Sequence, residues 1–138
     1  MEDEKINKQQ AEEWFEKWCD DMDIDIDESI MDEDEVKSFR KLKNTIIRGI
    51  CDGSISFNEN NEAVYSPKNP NTKRSEPITF HEKTGASLMA MDGKRKGHDI
   101  SRTYAVMADM TKTHPKTIAG LAGKDLSRCM AIFTLLMD

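Results

Sequence analysis

Three aspartates at alternate positions, Asp23, Asp25 and Asp27, open the run Asp23–Asp34. A calcium loop sets its first side-chain ligands at that spacing. The run departs from such a loop where the ion is most demanding. Glu28 stands where the tight turn needs glycine, and Asp34 stands where a bidentate glutamate closes the site. The chemistry that remains is that of a solvated acidic segment. His81, His98 and His114, with Cys19, Cys51 and Cys129, fall at spacings that match no zinc pattern, and there is no C-x-x-C. A cysteine–histidine nucleophile pair is assembled only by folding, and nothing local favours one. G-x-S-x-G, a phosphate-cradling glycine loop and H-E-x-x-H are all absent from the sequence. The chain therefore reads as a non-enzyme, with no cofactor and no metal.

Charge is divided unevenly. Residues 1–66 hold 8 Lys/Arg against 19 Asp/Glu, whereas residues 67–138 hold 12 against 7. Such a chain has an acidic end and a basic end, able to attract each other within one molecule or between neighbours. Lys94-Arg95-Lys96, with Arg102 nearby, is a compact basic cluster, but no aromatic side chains interleave with it as a stacking platform requires. With net charge −6, nucleic-acid binding by the whole chain is disfavoured. The longest apolar run, Cys129–Met137, is far short of the roughly 20 residues that span a bilayer, so no membrane is expected. Scattered, odd-numbered cysteines favour reduced thiols in a cytoplasm.

The elements that must carry these residues are mostly helical. Ala11, Trp14, Phe15, Trp18, Cys19 and Met22 recur at spacings of three and four and predict a helix from Asn7 to about Asp20. Between Asp20 and Glu35, ten of sixteen residues are acidic, which predicts a loose, mobile arm. Asp32 is a suitable cap for a helix running to Cys51, with Val36, Phe39, Leu42, Ile46, Ile47 and Ile50 inward and Asp52-Gly53 as its stop. The period then becomes two. Ile55 and Phe57, a polar turn at 58–62, and Ala63–Tyr65 predict a hairpin, and Ile78–Glu82 a third strand. Three prolines between Pro67 and Pro77 mark an exposed loop.

Thr84 is placed to cap a short helix with Leu88 and Met91 inward, and Asp99 to start another reaching Met110. The apolar positions of that second helix, Tyr104, Met107 and Met110 among them, exceed one face. Thr113-His114-Pro115 starts a further turn of helix carrying Ile118 and Leu121, and Asp125 is a candidate cap for the apolar last helix. The fold class expected is α+β, predominantly α-helical, with an acidic N-terminal helical segment (1–53) followed by a unit (54–138) made of a small antiparallel sheet and a C-terminal helical bundle.

The order from Ile78 to Met137, a strand in ITFHE, a short helix in KTGASLMAMD, a longer helix, a Pro-started turn and an apolar last helix, resembles the tail assembly chaperones of contractile-tailed, Mu-like bacteriophages. Ile78, Phe80, Leu88, Tyr104, Met107, Met110, Leu121, Asp125-Leu126 and Phe133 carry the likeness. Lys83 and Ser87 stand where those chaperones often have Pro and Asp. The resemblance implies a non-enzymatic protein of the host cytoplasm that is absent from the finished virion. It would bind the helical tape-measure protein, keep it soluble and help to recruit the tail-tube protein; some family members exist also in a frameshift-extended form.

On that reading the client groove is expected from Leu88, Met91, Tyr104, Met107, Met110, Leu121, Phe133 and Leu136, with Trp14 and Trp18 as a second gripping stripe. Six of nine methionines lie in the last fifty residues, and methionine adapts to irregular partner surfaces. The same surfaces could pair copies of the chaperone into a homo-oligomer. The rival reading is an acidic inhibitor whose residues 20–35 mimic nucleic-acid phosphates and block a host DNA-binding enzyme, which requires carboxylates held rigidly.

Overall fold

In a computed structural model describing residues 6–90 and 99–137, six helices and a three-stranded antiparallel sheet share one apolar core. The fold is thus α+β and mainly helical. Helix α1 (Lys8–Asp21) begins at Asn7, whose side chain accepts from the Gln10 amide at 2.8 Å. Its buried face, Ala11, Phe15, Trp18 and Cys19, lies on α2 (Glu33–Cys51), where Phe15 and Phe39 pack at 6.4 Å between ring centroids. Asp32 and Glu35 form the capping box that starts α2, and Gly53 at φ +84° follows its C-terminal cap, Asp52.

The acidic segment between α1 and α2 is not the loose arm that its charge density predicts. Ile24, Ile26 and Met31 pack against the core, while Asp23, Asp25 and Asp27 face water. Burial alternates along 24–27, so the isoleucines are covered without burying a charge, while Asp23, at φ +57°, lies in the turn that closes α1. Asp27 caps a single 3-10 turn (Glu28–Ile30), and Arg40 holds Glu28 through hydrogen bonds of 2.7 and 3.1 Å.

Strands β1 (Ile55–Phe57), β2 (Ala63–Tyr65) and β3 (Ile78–Phe80) lie in chain order, with Tyr65 opposite both Ile55 and Ile78. Asn61, at φ +60°, turns the hairpin. Beyond the sheet come α3 (Gly85–Met89), α4 (Asp99–Thr111), α5 (Pro115–Ala119) and α6 (Lys124–Met137). His114 caps α5, with Pro115 in its first turn, as the sequence predicts. Helix α6 buries Cys129, Ala131, Ile132, Phe133, Leu135 and Leu136, so its charge-free stretch is wrapped by the chain's own fold.

The loop at 67–77 is tied down. Asp125, expected as a helix cap, instead lies inside the first turn of α6 and is 1% exposed. Its carboxylate accepts from the Tyr65 hydroxyl, the Lys68 and Asn69 amides (3.0 Å each) and the Thr72 hydroxyl (2.6 Å). Three residues on, Arg128 reaches Asp52 at 2.6 Å and Ser54 at 2.9 Å, locking α6 to the end of α2.

Candidate partner-binding surfaces

The expected client groove does not form. Met107, Met110, Leu121, Phe133 and Leu136 all belong to the buried core, and so does Trp18. The same broad apolar coverage that suggests a helix touching two things is met by the chain's own elements, since α4 packs on α3, α5 and β3. Tyr104 is half-buried against the core, and Met91 lies outside the described residues, as do Lys94, Arg95, Lys96 and His98.

Leu88 corrects the sequence reading in the opposite direction. Its predicted inward position is taken by Ser87, which is 1% exposed and closes a capping box with Thr84, while Leu88 is 44% exposed. Met89 beside it is 67% exposed, and Ile100, one residue into the packed neighbour α4, is 69% exposed. These three large apolar side chains leave the α3–α4 pair with an uncovered surface. Met89 escapes sequence reasoning because a five-residue helix gives too little periodicity to fix a face, whereas Ile100 is one of the apolar positions of α4 that exceed a single face.

A second depression surrounds Trp14, which is 37% exposed. Trp18, Phe57, Lys17, Asn58 and Asn61 complete a cavity of about 340 Å³. Trp18 and Phe57 are tilted against each other with centroids 5.6 Å apart, so the two tryptophans of α1 differ in role: Trp18 packs in the core and Trp14 stays partly in water. The Trp18 Nε1 is buried without a hydrogen-bond partner among the described residues, a destabilising feature of about 1–3 kcal/mol that packing must offset.

Titratable groups meet in a larger cavity of about 620 Å³, lined by Glu62, His81, Glu82, Asp109 and Lys112 among others. The Glu62 carboxylate lies 2.7 Å from His81 Nδ1. Burial pushes the Glu62 pKa up, but hydrogen bonds from Asn58 and His81 outweigh it and hold the group below its usual range. The pair joins the start of β2 to the residue after β3, and sequence reasoning missed it because His81 there reads as a solvent-facing strand residue. Cys19 and Cys129 are poorly placed for nucleophilic work: burial foremost raises Cys19 to about 12 and pushes Cys129 up as well. Among the described residues no cluster of His, Cys, Asp and Glu has the form of a metal site, and no helix is long and apolar enough to cross a membrane.

No protein-family model, curated protein or solved structure matches this chain.

Proposed function

We propose that the chain is a tail assembly chaperone whose client is a long amphipathic helix of a phage tape-measure protein, received on the α3–α4 surface. The exposure of Leu88, Met89 and Ile100 carries the reading, because three large apolar side chains on adjoining helices form the kind of face that the apolar stripe of a client helix covers. The order of elements from β3 to α6, which resembles that of the Mu-like chaperones, is the ground for choosing this client. On this reading the protein works in the host cytoplasm, keeps the tape-measure protein dissolved until tail-tube subunits enclose it, and leaves before the virion is complete. No catalytic step is required of it.

The fixed core has a consequence for the mechanism. Met107, Met110, Phe133 and Leu136 are buried in the core and do not touch the client. Burying the three exposed side chains contributes roughly 1.5–3 kcal/mol for each one fully covered, before the cost of association. Co-expression tests the reading: a tape-measure polypeptide should stay in the soluble fraction with the wild-type chain and precipitate with a Leu88→Asp, Met89→Asp, Ile100→Asp variant. Equal solubility with both would overturn it.

One observation favours the rival reading. Asp23, Asp25 and Asp27 are all exposed on a segment that Ile24, Ile26 and Met31 fasten to the body, and such fastening is what a phosphate mimic needs. As an inhibitor, the chain would block a DNA-binding enzyme, and Asp→Asn changes at these three positions would abolish the block.

A further inference from the structure

The two charged ends of the sequence lie at opposite ends of α6. At its N-terminal end, Asp125 and the α5–α6 turn draw in the 67–77 loop: Lys68 and Asn69 donate to Asp125, and the Lys73 amide donates to the Gly120 carbonyl at 3.2 Å. This places Lys68, Lys73 and Arg74 beside Lys116 of α5 and Lys124 of α6, five cations from three separate stretches of sequence. Arg74 is shared with Glu76, but Lys68, Lys73, Lys116 and Lys124 are exposed and make no ion pair among the described residues. Asp125 is enclosed by its four donors and is not available to them.

At the C-terminal end of α6, Thr134, Leu135 and Leu136 line two clefts with five carboxylates, Asp23, Asp25, Asp32, Asp34 and Glu35, and one cation, Lys83, which donates to the Met137 carbonyl. Lys17 engages Asp21 and Arg40 engages Glu28; the other eight carboxylates of residues 20–35 make no ion pair among the described residues. Helix α6 has 14 residues and is about 21 Å long, roughly twice the screening length at 0.1 M salt. At 0.1 M salt the two ends are therefore largely screened from each other within one molecule.

We infer that copies of this chain associate head to tail, the acidic 20–35 ledge of one copy docking on the Lys68, Lys73, Arg74, Lys116, Lys124 end of the next. The charge complementarity specifies a second copy, because the basic end fits a polyanion and this chain itself presents one of matching sign and fixed shape. A docked pair keeps one free end of each kind, so the contact is heterologous and extends into a row unless its rotation closes a ring. The inference is independent of the client reading, since neither end includes Leu88, Met89 or Ile100.

Sedimentation velocity of the full chain tests it. At about 0.01 M salt, where screening reaches about 30 Å, the mean mass should rise with protein concentration beyond a dimer; at about 1 M salt it should fall to that of the monomer. An acidic-end variant (Asp20→Asn, Asp23→Asn, Asp25→Asn, Asp27→Asn) keeps the oxygen acceptors of the turns. A basic-end variant carries Lys73→Glu, Lys116→Glu and Lys124→Glu. Each alone should remain monomeric, with association weakened more than about tenfold. Mixed in equal amounts they should form a heterodimer that grows no further, because each retains the end the other lacks. Should the basic-end variant fail to fold, Lys73→Glu with Lys116→Glu alone serves. A wild-type chain that is monomeric at low salt, variants that associate like wild type, or retention of duplex DNA by the basic end without self-association would each overturn the inference.

Discussion

Tyr65 of the central strand donates its hydroxyl directly to Asp125 in the first turn of the last helix, sixty residues along the chain. The same carboxylate satisfies the amides of Lys68 and Asn69 and the hydroxyl of Thr72, and Thr72 in turn accepts from the Ala122 amide at 2.9 Å. One buried anion thus fastens sheet, loop and helix together. Asp125→Ala leaves four donors unmatched and should lower stability by about 3–5 kcal/mol, read as a fall in denaturation midpoint. Proteolysis within 67–77 should quicken in parallel.

Acid should act through the same group. Burial raises the Asp125 pKa, but the donors, led by the Lys68 amide and Thr72, more than compensate, and it lies below the ordinary value. Asp52 behaves alike: burial opposes, while Ser54 first and then Arg128 win. A carboxylate depressed in the folded state stabilises it fully above its unfolded pKa of about 3.9, and that contribution is lost as pH falls through the folded value. The melting temperature should hold between about pH 7 and 5 and drop below about pH 4, less steeply in Asp125→Ala.

The Arg128–Asp52 pair, with side chains 10% and 41% exposed, should respond unequally to loss of either partner. Asp52→Ala strands a buried guanidinium and is expected to cost more than Arg128→Met, which replaces it with an apolar side chain of similar length. Thermal melts of the two variants and their double mutant give the coupling. Equal single-mutant effects would count against an uncompensated buried cation.

Gly49 faces Ile55 so closely that a Cβ there would lie 2.4 Å from its Cδ1 and 2.7 Å from its Cγ1. Alanine ordinarily gains up to about 1 kcal/mol over glycine inside a helix. At this position Gly49→Ala should instead destabilise by about 1–3 kcal/mol. Ile55→Ala in the same molecule should recover most of that loss relative to Ile55→Ala alone.

Local rules made much of the fold legible. Asp32, Thr84 and His114-Pro115 start helices where capping chemistry places them, and the change of period after Gly53 marks the hairpin. What periodicity could not give was the destination of each apolar face. Met107 and Phe133 offer the same pattern whether covered by a client or by the chain's own helices, and only packing decides that they are core. The Asp125 hub was hidden because its donors lie 53 to 60 residues away. The acidic arm misled because charge density outweighed the three apolar residues that pin it.

Core and surface positions should therefore separate cleanly on mutation. Met107→Asp or Phe133→Asp buries an unpaired charge and should unfold the chain, visible as loss of the cooperative melt. Leu88→Asp, Met89→Asp and Ile100→Asp should change the melting temperature little, because their side chains already face water.

Calorimetric titration of a purified tape-measure helical segment into the chain tests the central claim most directly. The wild type should bind, and the folded Leu88→Asp, Met89→Asp, Ile100→Asp variant should bind more than about a hundredfold more weakly, equivalent to a loss of roughly 3 kcal/mol. Undiminished binding by that variant would contradict the assignment of the α3–α4 surface as the client site.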